Sequence, residues 1–412
     1  MSLIRPFRAL RVNPFAASQV AAPPYDTLST QEAREMAHGN AQSFLRIDKP
    51  EIEFPKGFDP YSPAVYTKGR ELLEQFRTVG TLVREATPAF YLYRQTMQGR
   101  TQTGLMATTS VDEYRKGLIR KHEHTRPEKV NDRANHILGS GSQASPVLST
   151  YRWNADVDAL FREIAGRKID VDFIGADATR HEMWFVTDAS MIAKLTTAFA
   201  KIPMLYIADG HHRSEAASEV CARLEAKDPR PDALHRFFLN GLFPDRDLFI
   251  MPYHRVIRDL NGMSPEQFLT RIKESFEVSP SAGQFQPKER HQFGLYLKGQ
   301  WYQLHTKAGL VNDSDPVGSI DAAILGRLLI EPVLGISNPR TDKRIDFVGG
   351  IRGTKELQRL VDSGEFALAI SLNATSIAQL LAVADRNEVM PPKSTWFEPK
   401  LASGLVVSTI QE

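Results

Sequence analysis

The chain has 412 residues, of which 42% are hydrophobic and 24% charged, and its formal net charge is +2. This length holds two or three domains with sizeable cores, and the interspersed charges argue against a nucleic-acid partner. The single cysteine, Cys221, excludes an intramolecular disulfide and a multi-cysteine zinc site. With no apolar run of about 18 residues and no signal-peptide core, we predict a cytoplasmic protein without a membrane segment.

The first half of the chain predicts helices and strands in irregular alternation. Prolines keep residues 1–65 mostly extended or turning, apart from a short helix at 30–37. Gln98-Gly99 between two runs of β-branched and aromatic residues predicts a hairpin at 89–111. Further helices are predicted at 64–80, 124–141, 156–166 and 189–202, and further strands at 146–153, 171–175, 181–188, 203–209 and 236–243.

The second half continues in the same mixed style. Lys298-Gly299 predicts the turn of a hairpin at 293–306, and Asn373 or Thr375 is the predicted cap of a late helix. A strand is predicted at 248–260, helices at 264–276 and 321–335, strand-loop-helix units at 344–364 and 366–385, and a polar loop before a last strand at 389–410. Because strands and helices do not alternate regularly, we predict an α+β fold with a mixed sheet rather than a doubly wound fold.

The stretch LYIADGHHRSEAASEV places polar residues where a strand ends and a helix begins. Gly210 permits a turn with positive φ, and the free N–H groups of the following helix favour an anion. His211, His212 and Arg213 add donors, and Asp209 can bind Mg²⁺ or orient a hydroxyl. A phosphate site, a metal site and an ordinary capped turn all remain open, although adjacent histidines rarely chelate one metal.

Residues 120–133, RKHEHTRPEKVNDR, form the next densest polar cluster. Phosphoryl transfer needs a carboxylate that orients the nucleophile, and Glu123 or Glu128 can supply it. His122 and His124 would share one face of a strand and could bind a metal. The simpler alternative is a solvated helix start with ion pairs between neighbouring turns.

Residues 389–400, VMPPKSTWFEPK, carry Lys393, Ser394 and Thr395 in a loop stiffened by prolines. Hydroxyls and lysines suit phosphate or substrate binding, so we predict that these three residues contact the nucleotide. The alternative is a C-terminal strap that crosses the core.

Two further loops are less informative. APPYD at 22–26 is stiffened by prolines and can bring Tyr25 and Asp26 into the cleft, but it indicates nothing more. DFVGGIRG at 346–353 offers glycines before a helix, yet no Gly-Lys-Ser/Thr ends it. A tight turn is therefore the favoured interpretation of this second loop.

DGHHRSEAA resembles the signature loop of the ParB/sulfiredoxin superfamily, and among its members it is most similar to the loop of the free serine kinases. The whole chain resembles the domain of unknown function 1015 family in VAAPPYD, KHEHTRPEK, YIADGHHR and MPPKSTWFEPK. The resemblance implies a ParB/sulfiredoxin-like core with additional α/β segments and nucleotide phosphates at Gly210 to Arg213. Asp209 matches the acidic position of the kinases. Sulfiredoxin chemistry needs a loop cysteine, but His212 stands there and Cys221 lies too far along the helix.

Together these observations predict a nucleotide-binding region at 1–255 and a C-terminal α/β region at 256–412 whose tail returns to the site. The leading hypothesis is a phosphotransferase that uses Mg²⁺ and ATP or ADP, with CTP as a further option, on a small metabolite such as free serine. A second hypothesis is a ParB-like nucleotide switch or DNA-associated protein without metabolic catalysis. A third is a metal hydrolase that uses the histidines of both polar clusters. The oligomeric state is left open.

Overall fold

A computed structural model describes residues 4–411. The chain divides into two compact units, the first formed by Met1–Leu248 with Pro399–Glu412 and the second by Phe249–Glu398. The domain division at residue 255 and the return of the tail to the site stay predictions. We describe each unit by itself.

The first unit contains most of the strands and helices of the N-terminal half. In chain order they are β1 (Leu10–Val12), α1 (Ala17–Val20), α2 (Thr30–Met36), α3 (Leu45–Asp48), α4 (Pro63–Thr78), β2 (Leu82–Arg84), β3 (Phe90–Met97), β4 (Arg100–Ser110), α5 (Val111–Arg115), β5 (Ile119–Arg120), α6 (Pro127–Ser140), β6 (Ser142–Gln143), β7 (Val147–Tyr151), α7 (Ala155–Ala165), β8 (Val171–Ile174), β9 (Arg180–Val186), α8 (Ala189–Phe199), β10 (Leu205–Asp209), α9 (His211–Leu224) and β11 (Phe237–Pro244).

The second unit follows, and the last strand of the chain belongs to the first unit. In chain order the second unit has β12 (Phe249–Met251), β13 (Tyr253–Ile257), α10 (Pro265–Ile272), β14 (Phe276–Ser281), β15 (Gln292–Leu297), β16 (Gln300–Thr306), α11 (Asp321–Leu325), β17 (Ile345–Gly349), α12 (Gly353–Asp362), β18 (Leu368–Leu372), α13 (Ile377–Asp385) and β19 (Trp396–Glu398), and the first unit ends with β20 (Val406–Thr409). A π-helical turn, Gly326–Ile330, continues α11.

An eight-stranded mixed sheet organises the first unit, in the order β5-β10-β7-β11-β4-β3-β9-β8. The pairs β5–β10 and β7–β11 are parallel, and the other pairs are antiparallel. A smaller sheet, β2-β1-β20-β6, joins both ends of the chain. The second unit has a six-stranded sheet, β14-β16-β15-β18-β13-β17, and the pair β12-β19. The predicted α+β class with a mixed sheet is therefore confirmed.

Local signals placed the hairpins correctly. Gln98 and Gly99 have φ values of 50° and 77°, and Lys298 and Gly299 have values of 46° and 80°. Two successive positive φ angles suit the right-handed twist of the strands that such a turn joins. Gly141, which follows α6, is also left-handed and ends that helix as predicted.

Three local predictions were wrong. Ser376 caps α13, since its side chain accepts from the Gln379 N–H in a capping box, so neither Asn373 nor Thr375 is the cap. The single strand predicted at 248–260 is divided into β12 and β13, because Pro252 between them has no N–H to donate. The tail loop contains β19, which pairs with β12.

The main core of the first unit fills the space between the eight-stranded sheet and its helices. Its largest fully buried side chains include Phe90, Trp184, Phe199 and Phe238. Cys221 lies in the same core, as predicted for a small apolar side chain. None of the helices in residues 4–411 combines the length and the apolar character that crossing a membrane requires.

Candidate functional site

Parallel pairing of β5 and β10 brings two strand-to-helix connections to one edge of the large sheet. Leu205 pairs with Ile119 and Tyr206 with Arg120, so both strands end at the same side. Each strand leads into a helix, α6 after β5 and α9 after β10, and these helices pack against each other. The N-termini of α6 and α9 therefore lie at the same edge of the sheet.

Neither of these helices has a side-chain cap. The N-cap of α9 is Gly210, and the N-cap of α6 is Arg126, whose side chain makes no capping hydrogen bond. The first N–H groups of a helix have no partner within the helix, and the helix dipole makes this end positive. The edge thus concentrates backbone donors of the kind that bind anions.

Gly210 is required by both its conformation and its neighbours. Its φ is +93°, in the left-handed region that side chains rarely adopt. A Cβ atom here would lie 3.2 Å from Cζ of Arg213 and 3.3 Å from Cα of Val147. The predicted strand-glycine-helix connection is confirmed, and it leaves no room for a side chain at the turn.

The Arg213 side chain is buried, and both of its terminal nitrogens bind groups of the protein, whereas its Nε has no partner among the described residues. Its Nη2 contacts Oδ2 of Asp209 at 3.0 Å and Oδ2 of Asp26 at 3.3 Å, and its Nη1 donates to the carbonyl of Pro146. Burial disfavours the charged guanidinium, but the two carboxylates hold its pKa above the ordinary value. Arg213 therefore fixes two acidic side chains at the start of α9.

The two carboxylates on Arg213 remain accessible. The side chains of Asp26 and Asp209 are 37% and 33% exposed, while that of Arg213 is 6% exposed. Lys400, from the C-terminal part of the first unit, places its Nζ 3.8 Å from Oδ1 of Asp209. Asp209 is thus an acidic group between two cations, with Asp26 beside it.

His211 and His212 accept hydrogen bonds from the connection between β5 and α6. The His122 N–H donates to Nε2 of His211 at 3.5 Å, and the Arg126 N–H donates to Nε2 of His212 at 3.1 Å. An imidazole that accepts at Nε2 carries its hydrogen on Nδ1. Both histidines therefore have an Nδ1–H donor, and burial lowers the pKa of His211 well below its ordinary value.

His122 packs its ring against His211 in an edge-to-face arrangement with centroids 4.5 Å apart. Neither ring nitrogen of His122 makes a hydrogen bond within the described residues, and the side chain is buried. Burial lowers the pKa of His122 to about 4, so its imidazole is neutral at pH 7. His122 lies in a loop and not in the strand that the sequence suggested, and His124 is exposed.

Besides Asp209, the two predicted catalytic carboxylates are Glu123, on this β5–α6 connection, and Glu128, at the start of α6. Glu123 is half-buried in the loop that contacts His211 and His212. Glu128 lies in the first turn of α6, is 63% exposed and lies 3.6 Å from Nε of Arg126. The structure therefore brings the Glu123 loop to the Asp209–Arg213 loop, while Glu128 faces solvent.

Lys393, Ser394 and Thr395 belong to the second unit. The carbonyl of Lys393 accepts from Nη2 of Arg255 at 3.0 Å, and the carbonyl of Ser394 accepts from Oγ1 of Thr375 at 2.8 Å. Lys393 has a φ of +58° and its ammonium lies 5.4 Å from the centre of the Tyr253 ring. Their nucleotide-binding role stays a prediction.

Sequence reasoning missed a buried polar cluster beneath the site. The carboxylate of Asp48 is bound by Arg133 at 3.0 Å, by Ser403 at 3.3 Å and by Ser145. The Arg133 guanidinium lies 3.8 Å from the centre of the Tyr25 ring. A cavity of about 20 Å³ borders Asp48, Arg133 and Arg213, which is room for one or two water molecules.

Metal ligands do not cluster in the described part of the chain. Among residues 4–411, no group of three or more His, Cys, Asp or Glu side chains is arranged to hold a metal ion. Proteins often hold Mg²⁺ with one or two carboxylates together with substrate phosphates, so a magnesium site at Asp209 stays a prediction.

A family model described as a protein of unknown function (DUF1015) matches residues 4–323. No curated protein matches the chain. Among solved structures, a free serine kinase in complex with AMP is 15% identical, with 71% of this chain and 86% of that chain covered and a TM-score of 0.37. A conserved hypothetical protein from Pyrococcus furiosus is 15% identical, with 72% and 92% covered and a TM-score of 0.35.

A third solved structure is SbnI from Staphylococcus aureus with a C-terminal truncation. It is 9% identical, with 72% of this chain and 84% of that chain covered and a TM-score of 0.39. At such scores these likenesses carry no argument about a shared site or activity. The ParB/sulfiredoxin-like character of the core accordingly stays a prediction.

Proposed function

This chain belongs to the DUF1015 family of proteins of unknown function, and from that premise we propose that it is a nucleotide-dependent phosphotransferase. Its first unit binds the phosphates of ATP or ADP at the Asp209–Arg213 loop. The acceptor is a small metabolite with a hydroxyl group, and free serine is the first candidate. The observation that supports this most is the pair of uncapped helix N-termini, of α6 and α9, at one edge of the sheet.

Phosphate binding would use donors that are already in place. The first N–H groups of α9 follow Gly210 and have no side-chain cap. The Nδ1–H groups of His211 and His212 add neutral donors, because their Nε2 atoms accept backbone hydrogen bonds. Such preorganised donors cost little reorganisation when charge develops on a transferring phosphoryl group.

Asp209 and Asp26 would hold Mg²⁺, which when bound neutralises part of the phosphate charge. Arg213 keeps both carboxylates in place through its Nη2 contacts of 3.0 Å and 3.3 Å. Lys400, whose Nζ lies 3.8 Å from Asp209, supplies a second cation near the same carboxylate. Arg213 thus acts as a positioning residue and not as a direct phosphate ligand.

Transfer needs a base for the acceptor hydroxyl, and Glu123 is the better of the two predicted candidates. Its loop contacts the histidines of the phosphate site, whereas Glu128 is exposed and close to Arg126. The carboxylate takes the hydroxyl proton, the hydroxyl oxygen forms a bond to the terminal phosphorus, and the bond from that phosphorus to its bridging oxygen breaks. The products are a phosphate monoester and the shortened nucleotide.

The proposal is tested by incubating the protein with Mg²⁺, a panel of hydroxy amino acids and ATP, ADP or CTP in turn. Mass spectrometry should detect a phosphorylated acceptor. Asp209→Asn should lower the rate at least a hundredfold, while Asp172→Asn, which removes an exposed carboxylate of β8, should leave it unchanged. Nucleotide binding without any product, combined with nucleotide-dependent DNA affinity, would instead support the ParB-like switch.

A further inference from the structure

A second cavity lies in the first unit, against four neighbouring strands of the large sheet. Its volume is about 90 Å³. Tyr151 of β7 pairs with Pro244 of β11, and Thr103 of β4 pairs with Arg94 of β3. Continuing the antiparallel register of β11 and β4 places Pro244 beside Thr103. Tyr151, Pro244, Thr103 and Arg94 thus form one row across the sheet and line one side of the cavity.

This cavity is separate from the phosphate site. Asp209 pairs with Leu148, near the start of β7, whereas Tyr151 is the last residue of that strand. Because β10 runs antiparallel to β7, the DGHHR loop and the cavity lie at opposite ends of β7. The cavity lies where the parallel strands β7 and β11 both end, a position at which α/β sheets commonly bind ligands.

One wall of the cavity is aromatic. Tyr151, Trp153 and Phe161 line it, and Trp153 is 42% exposed although it is a large apolar side chain. The backbone N–H of Trp153 donates to Oδ1 of Asp245 at 2.9 Å, and the Arg246 guanidinium lies 4.4 Å from the indole centre. The exposed part of the indole leaves surface for an apolar group to cover.

Within the described residues, one cation of the cavity lining, Arg94, has no acidic partner. Nε of Arg94 donates to Oγ1 of Thr103 at 3.2 Å, and its guanidinium lies 4.9 Å from the Trp184 ring centre. Among residues 4–411, no protein group bonds the two terminal nitrogens of Arg94. The other arginine of the lining, Arg162, contacts Asp158 at 2.9 Å and is 74% exposed.

The cavity also has a carboxylate that can still accept hydrogen bonds. Oδ2 of Asp247 accepts from the Thr103 N–H at 3.4 Å, and its Oδ1 lies 3.7 Å from Nε of Arg246. Asp158, in contrast, already contacts both Arg162 and Arg246. Since Thr103 bonds to both Arg94 and Asp247, a free guanidinium and an accessible carboxylate lie on either side of one residue.

We propose that this cavity binds a small α-amino acid with an apolar side chain. The ligand carboxylate pairs with Arg94, its ammonium group pairs with Asp247, and its side chain covers Trp153. A bidentate guanidinium suits a carboxylate, and the aromatic wall suits the side chain. One water molecule, which has one non-hydrogen atom, needs about 10–15 Å³ of such a cavity. By that measure the cavity of about 90 Å³ has room for roughly six to nine non-hydrogen atoms. L-valine falls in this range.

Isothermal titration calorimetry with L-valine tests the proposal, with isobutylamine and isovalerate as analogues that lack its carboxylate and its ammonium group. L-valine should bind one-to-one, and each analogue should bind at least tenfold more weakly, since each loses one charge-assisted contact. Arg94→Met keeps an unbranched side chain but removes the guanidinium, and it should weaken the binding of L-valine at least tenfold. Arg162→Met, which removes the paired and exposed arginine of the same cavity, should change the affinity less than twofold.

Several outcomes would overturn the assignment. Absence of heat with L-valine in the natural protein, equal affinity for isovalerate and L-valine, or unchanged affinity in Arg94→Met would each contradict it. Circular dichroism of Arg94→Met checks that the variant is folded. Arg94→Lys is a second variant, which keeps the positive charge but cannot donate two parallel hydrogen bonds to a carboxylate. Titration of L-valine into Asp209→Asn separates this site from the phosphotransferase site. The variant should bind L-valine with the affinity of the natural protein.

Discussion

Replacing His122 with phenylalanine should reduce the loss of stability on acidification. Burial lowers the pKa of His122 from 6.5 to about 4, so the unfolded chain binds a proton at pH 5 that the folded protein does not. This histidine therefore destabilises the fold as the pH falls below 6.5, and the effect is complete below pH 4. Between pH 7 and pH 5 the loss is about 2 kcal/mol for one such group.

Urea unfolding followed by tryptophan fluorescence, at pH 7 and at pH 5, measures this difference. Phenylalanine can keep the edge-to-face contact with His211, and neither ring nitrogen of His122 makes a hydrogen bond of good geometry among the described residues. His124→Gln is the matched control, because it removes an exposed histidine of the same loop. If His122→Phe loses as much free energy of unfolding between pH 7 and pH 5 as the natural protein does, the assigned role of His122 is wrong. A reduced loss in His124→Gln would contradict it as well.

Three other variants probe stability, each by chemical unfolding at pH 7. Gly210→Ala should lower the free energy of unfolding by about 1–3 kcal/mol, because alanine would have to adopt a φ of +93° and would crowd Arg213. An unchanged free energy of unfolding would show that glycine is not needed at this position. Ser376→Ala should lower the free energy of unfolding by about 1 kcal/mol through the lost cap, and Ser279→Ala, which changes an exposed serine of β14, is its control. Asp48→Ala should lower the free energy of unfolding by about 3–5 kcal/mol, because it leaves Arg133 buried without its carboxylate partner. A decrease of less than 1 kcal/mol would contradict a stabilising ion pair between Asp48 and Arg133.

The sequence predicted those parts of the fold that depend on neighbours along the chain. The two hairpin turns and the strand-glycine-helix connection at Gly210 follow from residues that tolerate positive φ. The cap of α13 was predictable by the same logic, since Ser376 and Gln379 have capping-box spacing. Thr375 lies one residue farther from α13, and its hydroxyl donates to the carbonyl of Ser394.

Long-range pairings were beyond such reasoning. The two-residue strand β5 has no pattern of its own, yet its parallel pairing with β10 brings the Glu123 loop to His211 and His212. The contacts of Arg213 with Asp26 and of Asp209 with Lys400 join residues 187 and 191 positions apart along the chain. Ion pairs of this kind depend on the assembled sheet and leave no local periodicity.

A crystal structure with Mg²⁺ and ADP or ATP shows where the nucleotide binds. We predict phosphate oxygens within hydrogen-bond distance of the N–H groups that begin α9 and of Nδ1 of His211 or His212. We also predict that Asp209 and Asp26 face the bound cation. A nucleotide bound elsewhere on the first unit, with no phosphate near Gly210, would contradict the account.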